Sequence, residues 1–262
     1  MNTRRIYAML LRHVYQFRRS YDRIFDSFYW IALDLMIWGI TGLFLAKVSP
    51  NNTQFVFMII SGVILWNVTY RTQIDINVSL LEELWNKNLI NLFVSPLSFR
   101  EWIFSLVVLG MTKAVATLLF GSLIAHLVYG VNIYTLYSYH LIVFVLLLMM
   151  SGWWIGFFIS GLLLRYGTRI QTLGWSFVWL LGPFAAIYYP QDTLPGWAQQ
   201  ISKAVPMSYV FEESRNVLFN GKIRYENLFI ALGLNIVYII ITAFFIRRSF
   251  SKVLQKGLVK VI

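Results

Sequence analysis

The 262-residue sequence contains no cysteine. A disulfide framework, a thiolate metal site and a cysteine nucleophile are therefore excluded. Histidine is also scarce, and His13, His126 and His140 are scattered along the chain. No group of residues has the spacing of metal ligands, so we expect no metal in this chain.

Charge is the second scarcity. Only 13% of the residues are charged and 58% are hydrophobic, whereas soluble domains carry about 25% charged residues. This composition predicts an integral membrane protein. The net charge of +11 is compatible with nucleic-acid binding, but the basic residues cluster beside apolar segments, as in membrane proteins. We therefore expect no nucleic-acid partner.

Three common nucleotide-binding and catalytic motifs are missing too. The sequence has no G-x-x-x-x-G-K-[ST], so the chain cannot hold a nucleotide in the P-loop manner, and it has neither H-E-x-x-H nor G-x-S-x-G. A membrane-embedded enzyme that uses Asp34 or Asp75 is conceivable. Catalysis would need at least two converging polar groups, and no residue spacing indicates them.

Six apolar segments reach the length of about 20 residues that a transmembrane helix needs. We predict spans at Phe28 to Val48, Phe55 to Asn77, Ile103 to Tyr129, Leu141 to Leu164, Thr172 to Tyr189 and Leu228 to Ile246. With the N-terminus inside, fifteen Lys and Arg residues fall on the inner side and five on the outer side. This bias predicts that both termini are cytoplasmic.

The N-terminal segment, Asn2 to Arg19, has the pattern of an amphipathic helix. Ile6, Met9 and Phe17 lie on one side, and Arg5 and Arg12 on the other. We expect it to lie flat on the membrane surface, with its arginines near lipid phosphates. The alternative is a basic tail that only sets the orientation of the chain.

The stretch from Leu80 to Trp102 separates the second and third spans and is amphipathic. Its first part, residues 80–93, is predicted to form one surface helix, ended by Ser95-Pro96. Its charges exclude it from hydrocarbon, so we expect it to lie along the membrane surface with a polar side free for a partner.

A second long connection precedes the last span. In it, Pro195 opens and Pro206 interrupts two short apolar stretches at helical spacing within residues 190–220. Each is too short to cross a membrane. We predict a re-entrant helical hairpin, and the alternative is an irregular loop.

Ionisable residues inside spans are costly, and four of them stand out. Arg71 and Asp75 are four residues apart, so they can form an ion pair or take part in gating. Lys113 is expected to meet a carboxylate or a helix carbonyl. A structural hydrogen bond and a substrate contact are equally compatible with Asp34.

Several tryptophans lie deep within the predicted spans. They either pack against lipid or line a path for an amphipathic or sugar-bearing substrate. Because costly or bulky groups concentrate in the first, second and fifth spans, we predict a path there. Its candidate residues are Asp34, Trp38, Trp66, Trp175 and Trp179.

Two further sequence patterns are typical of one protein family, and the resemblance to that family covers essentially the whole chain. They are L-x-x-E-x-W-x-x-N-L-I-N-L-x-V-S-P-L at residues 80–97, and L-P-x-W followed by P-x-S-Y-x-x-E-x-x-R at residues 194–215. With the basic N-terminal helix and six spans, the sequence resembles the permease subunits of type-2 ABC exporters, which include O-antigen, teichoic-acid, nodulation-factor and antibiotic exporters.

The resemblance implies an all-α permease with an N-terminal interface helix, a coupling helix and re-entrant helices near an outer gate. It also implies a bacterial or archaeal plasma-membrane location, a second permease copy, identical or not, and a separate ATPase subunit that binds ATP and Mg²⁺. The implied coupling residues are Leu81, Glu82, Glu83, Trp85, Asn86 and Lys87. The implied gate residues are Pro195, Trp197, Pro206, Tyr209, Glu213 and Arg215.

The expected function is therefore ATP-driven export of a glycolipid, a polysaccharide or a hydrophobic drug-like molecule along a path at a dimer interface. The chain itself would not be an enzyme. A membrane-embedded enzyme of lipid or glycan metabolism and a non-transporting scaffold are the alternatives.

Overall fold

A computed structural model describes residues 1–48 and 54–256. These residues form eleven α-helices and three short 3₁₀ helices, without any strand. Five of the helices are long and apolar enough to cross a membrane, which makes this an all-helical, multi-pass membrane type of fold. The predicted connection Ser49 to Gln54, apart from Gln54 itself, and the C-terminal Lys260 lie outside the described residues.

The five long helices are α2, α3, α5, α7 and α11. In chain order the α-helices are α1 (Thr3–Arg19), α2 (Tyr21–Val48), α3 (Gln54–Trp85), α4 (Leu89–Val94), α5 (Phe99–Tyr129), α6 (Ile133–Tyr137), α7 (His140–Tyr166), α8 (Leu173–Leu181), α9 (Gly196–Lys203), α10 (Pro206–Asn220) and α11 (Tyr225–Lys256). The 3₁₀ helices are Gly167–Ile170, Pro183–Ala185 and Gln191–Thr193.

Helix α3 is the centre of the bundle. Of its most apolar window, 83% is buried, against 22% in α2 and in α11. Small residues bring its neighbours close: a methyl group added at Gly152 of α7 would lie 2.8 Å from the Thr69 carbonyl oxygen of α3. Close backbone approach at small residues is the usual way in which membrane helices pack.

Helices α3, α7 and α11 run in the same direction. Between α3 and α7, Thr69 donates to the Leu148 carbonyl and Ser160 donates to Asn77. Between α7 and α11, Ser151 donates to Asn235, and Arg165, fourteen residues further along, donates to Ser249. Since α7 and α11 are parallel, the chain must return along the bundle between them.

Helix α1 lies across one end of the bundle. The Asn2 side chain caps the helix, Ile6 and Met9 are buried, and the Asn2 amide donates to Glu101 at the start of α5 (2.6 Å). The last turns of α11 reach the same end, where Phe250 stacks on Phe99. We term this the α1 end, and the opposite end, which carries α10, the α10 end. The helix predicted at Asn2 to Arg19 is confirmed.

The prediction of one surface helix over residues 80–93 is wrong. Helix α3 continues to Trp85, the chain turns at Lys87 with a φ of 53°, and the six-residue helix α4 follows. Leu80 and Leu81 are fully buried as the end of α3. Glu82 and Glu83 can continue a buried helix because α1 and α2 supply arginines opposite them.

The fifth predicted span, Thr172 to Tyr189, is not one continuous helix. Helix α8 covers only nine of its residues and ends before Pro183, which cannot donate to the preceding turn. A 3₁₀ turn follows, and Ala186 then adopts a left-handed conformation with φ 53°.

The two short helices predicted within residues 190–220 are confirmed as α9 and α10. Pro195 immediately precedes α9. Pro206 is the first residue of α10, where its missing N–H costs nothing. Met207, Val210 and Phe211 are fully buried, so α10 is packed into the bundle and is not a loop.

Candidate functional site

A cavity of about 650 Å³ opens between α1, α2, α3, α5 and α8. Its volume is in the range of small-molecule sites. It runs from Glu82 near the α1 end to Tyr70, which is about 18 Å along α3 at 1.5 Å per residue. Its lining residues combine aromatic rings with charged side chains.

Arg71 organises the charges of this cavity. It is buried and donates from Nη1 and Nη2 to Asp26 Oδ2 of α2 (3.1 and 3.0 Å) and from Nε to Asp75 Oδ2 (3.2 Å). Lys113 of α5 donates to Asp75 Oδ1 (2.9 Å). The ion pair predicted for Arg71 and Asp75 and the carboxylate predicted for Lys113 are thus confirmed. The network joins α2, α3 and α5 across the cavity wall.

Asp34 lies deeper in the cavity and, unlike Asp26 and Asp75, is held by a neutral partner. Its Oδ2 accepts from Asn67 Nδ2 (3.2 Å), and the side chain is only partly buried. Among the described residues no Lys or Arg forms an ion pair with it. The hydrogen bond expected as one of two roles for Asp34 is present, and the carboxylate also faces the cavity.

Aromatic rings continue the cavity wall toward the α10 end. Trp179 of α8 contacts the rings of Trp66 and Tyr70 at centroid distances of 5.9 and 5.6 Å. Beyond them, Trp38 stacks on Tyr188 at 4.4 Å. The cavity therefore reaches mid-bundle, and a pair of stacked rings lies above it.

The five residues predicted to line a path fall on one side of the bundle, between α2, α3 and α8. Asp34, Trp175 and Trp179 line the cavity. Trp66 is buried behind Trp179, and Trp38 belongs to the stack above. Trp175 also stacks with Trp85 near the α1 end (6.2 Å).

The residues predicted to couple to an ATPase divide into two groups. Leu81 is buried, Glu83 forms an ion pair with Arg12 of α1 (2.5 Å), and Glu82 forms one with Arg23 of α2 (2.9 Å). Trp85, Asn86 and Lys87 are exposed at the tip of the α3–α4 turn. Of the six predicted coupling residues, only these three are exposed at the α1 end, where a partner could contact them.

The residues predicted for a gate lie at the α10 end. Arg215 is buried and donates to the carbonyl of left-handed Ala186 (2.6 Å) and to Glu212 (2.6 Å). Glu213 is fully buried and accepts from Asn216, the Arg224 amide and Asn227. The hydrogen bonds of these two side chains hold α10 against the preceding and following segments.

The other four predicted gate residues also belong to α9 and α10 or directly precede α9. Tyr209 donates to the Lys203 carbonyl, which ties α10 to α9. Pro206 is buried at the first turn of α10, whereas Pro195 and Trp197 are exposed, with Trp197 against the ring of Phe184.

His13 lies where α1 meets the cavity. It is buried, and burial together with the positive charges of Arg12, Lys113 and Arg23 lowers the pKa of His13 to about 4. The imidazole is therefore neutral at pH 7, which suits its buried position on the inner side of α1.

Sequence reasoning missed Asp22, Asp26 and Trp30. The signal was present: in α2, residues 22, 26, 30 and 34 recur every fourth position, so each lies next to the one before it in a stripe along the helix. Asp22 and Asp26 lie before the predicted span, and for that reason the stripe was not recognised as a unit.

Neither a protein-family model nor a curated protein matches this sequence. Within the part of the chain that the structure describes, no group of three or more His, Asp or Glu residues could hold a metal ion.

Proposed function

We propose that this chain is the transmembrane subunit of an ATP-driven exporter of the type-2 ABC class, as the sequence patterns indicate. The observation that carries the proposal is the cavity, which begins at the α1 end, reaches mid-bundle and lies below the Trp38–Tyr188 stack. A cavity that begins at one end and reaches the middle of the bundle is what a transporter needs when it receives substrate from one side of the membrane.

Six crossings of the membrane are part of the proposal. Residues 171–188 run antiparallel to α3: Trp85 donates to Gln171, and a methyl group added at Gly62 would lie 3.2 Å from the Ile187 carbonyl oxygen. The 23 residues of α3 between Gly62 and Trp85 span about 35 Å, more than the roughly 30 Å of a bilayer core. This segment thus supplies the return between the parallel helices α7 and α11.

With six crossings both termini lie on one side of the membrane. In this proposal the α1 end, which carries the excess of Lys and Arg, faces the cytoplasm, and the family resemblance implies a bacterial or archaeal cell. The α10 end then faces outward, and α9 and α10 form the re-entrant hairpin there.

The ATPase subunit would dock on the exposed tip formed by Trp85, Asn86 and Lys87, together with α4. Helices α1 and α2 would carry its motion into the bundle, because Arg12 of α1 and Arg23 of α2 bind the two glutamates of the same turn of α3. A second copy of the permease would cover the exposed apolar side chains of α2, which include Ile37, Ile40 and Phe44.

The test is reconstitution. We would co-express the chain with each ABC ATPase subunit of its source organism, purify complexes and measure vanadate-sensitive ATP hydrolysis in lipid nanodiscs. One subunit should co-purify, and Trp85→Ala with Lys87→Glu should reduce its recovery at least fivefold. Tyr134→Ala, exposed at the α10 end, is the matched control. Failure of every ATPase to form a complex would overturn the proposal.

A membrane-embedded enzyme is the second candidate. Its favouring observation is that Asp26, Asp75, Arg71 and Lys113 converge on one cavity, as catalytic groups would. Each is already engaged in an ion pair, however, and would have to be displaced by substrate. Turnover of a lipid-linked substrate by the purified chain alone would establish this alternative.

A further inference from the structure

The charge balance of the cavity points to the class of molecule it accepts, if the cavity is the path of the proposed exporter. Its lining carries five acidic and three basic side chains. The acidic ones are Asp22, Asp26, Asp34, Asp75 and Glu82, and the basic ones are Arg23, Arg71 and Lys113. The lining is therefore negative overall.

The three basic side chains are all engaged. Arg71 binds Asp26 and Asp75, and Lys113 binds Asp75 as well. Arg23 binds Glu82. An anionic ligand, such as a phosphate-linked glycan, would have to compete for a cation that a carboxylate already binds, which reduces the gain from binding it in this partly buried site.

Two carboxylates of the cavity, Asp22 and Asp34, form no ion pair with a described residue, and they differ in position. Asp22 lies in the first turn of α2, at the mouth of the cavity. Asp34 lies three helical turns further in, and its contact among the described residues is the neutral amide of Asn67. Among the described residues, Asp34 is thus the one deep carboxylate of the cavity that forms no ion pair.

Aromatic rings border the same cavity. Trp30 precedes Asp34 by one turn of α2, and Tyr70 and Trp179 contact each other on the opposite wall. The face of an aromatic ring attracts a cation, most strongly away from water, and also packs against apolar groups. A carboxylate among such rings is suited to an organic cation.

We infer that the cavity takes a cationic amphiphile, with its positive group at Asp34 and its apolar body against Tyr70, Trp175 and Trp179. Neutral and anionic amphiphiles of the same shape bind more weakly, because they leave the Asp34 carboxylate without a counter-ion in a low-dielectric site.

The experiment compares two ions of nearly identical shape and opposite charge, tetraphenylphosphonium and tetraphenylborate. Each is titrated by equilibrium dialysis against the full-length chain in nanodiscs of zwitterionic lipid, and binding to empty nanodiscs is subtracted. We expect the cation to bind at least tenfold more tightly than the anion. No ATPase is needed, so the result is independent of the reconstitution test above.

Three variants identify the site. Asp34→Asn keeps an oxygen that can accept from Asn67, and should weaken cation binding at least fivefold without weakening anion binding. Trp179→Ala should weaken binding of any ligand of the cavity. Asp192→Asn, an exposed carboxylate at the α10 end, is the control and should change neither. Thermal unfolding of each variant verifies the fold.

The possible failures are distinct. Equal binding of both ions, lost in Trp179→Ala and unchanged in Asp34→Asn, would leave the cavity as a ligand site and overturn the preference for cations. Tighter binding of the anion would overturn it as well. Absence of any binding that Trp179→Ala reduces would overturn the inference, while the exporter assignment would still be decided by the ATPase complex.

Discussion

Arg12 of α1 and Glu83 of α3 form an ion pair at 2.5 Å, although they are separated by 71 positions in the chain. Glu83 is 4% exposed and also accepts from Asn88 of the following turn. This contact fixes α1 to the tip at which α3 ends.

Removing either partner of this pair should loosen α1. We expect Arg12→Gln to lower the free energy of unfolding by about 2 kcal/mol, because buried Glu83 loses its counter-ion, and Glu83→Gln to lower it less, because Arg12 is partly exposed. The double variant should cost less than the sum of the two. Chemical unfolding in detergent micelles measures the effect, and Arg18→Gln, on the exposed side of α1, is the control. Additive effects would disprove the coupling.

Replacing Arg71 should lower the free energy of unfolding more than replacing Lys113. Arg71→Met leaves Asp26 without its ion pair and deprives buried Asp75 of one of two cations, so we expect a loss of roughly 3–5 kcal/mol. Lys113→Met leaves Asp75 with Arg71 and should cost clearly less. The comparison uses the same unfolding assay. A larger effect of Lys113→Met would contradict the central position given to Arg71.

The packing of α3 on α7 predicts a contrast between two glycines. At Gly152, a methyl group would meet the Thr69 carbonyl oxygen at 2.8 Å and the Thr72 side chain at 2.7 Å. Gly152→Ala should therefore destabilise by about 1–3 kcal/mol. Gly233→Ala in α11 has nothing within 4 Å and should be neutral or slightly stabilising. Equal melting temperatures of the two variants would refute this packing.

The docking of α1 should depend on pH. The native pKa of His13, about 4, lies below the ordinary value of 6.5, so the unfolded or undocked segment binds more protons between these values. Stability is thus complete above about pH 6.5 and is lost as the pH falls toward 4. Hydrogen exchange of α1 amides at pH 7 and pH 5 measures this, after correction for the intrinsic rate. His13→Gln should remove most of the difference.

Helix α9 predicts a pattern of thiol labelling, which is easy to read because the chain has no cysteine. Gln200 is exposed, whereas Ser202 is fully buried and donates to the Phe184 carbonyl. A cysteine at Gln200 should react with an impermeant maleimide in intact cells, and one at Ser202 should not. Reaction of both would indicate an irregular loop, and reaction only after permeabilisation would place the α10 end in the cytoplasm.

Local patterns in the sequence were sufficient for several elements. Apolar length predicted the five long helices, because a span of about 20 apolar residues has few other stable structures. The prolines at 195 and 206 marked the starts of α9 and α10, since proline is tolerated only at the beginning of a helix. The spacing of Arg71 and Asp75 placed both on one face of α3, where they pair.

Contacts between distant segments decided the rest. Residues 80–85 have an amphipathic sequence, yet they end a buried helix, because Arg12 and Arg23 neutralise the glutamates there. No local pattern reveals counter-ions that are 59 and 71 positions away in the chain. The cavity likewise exists only because α2, α3 and α8 bring Asp34, Tyr70 and Trp179 around one space. The sequence alone determined which segments are helical, and the tertiary structure decided which of their charges are paired and which, among the described residues, face the cavity without a counter-ion.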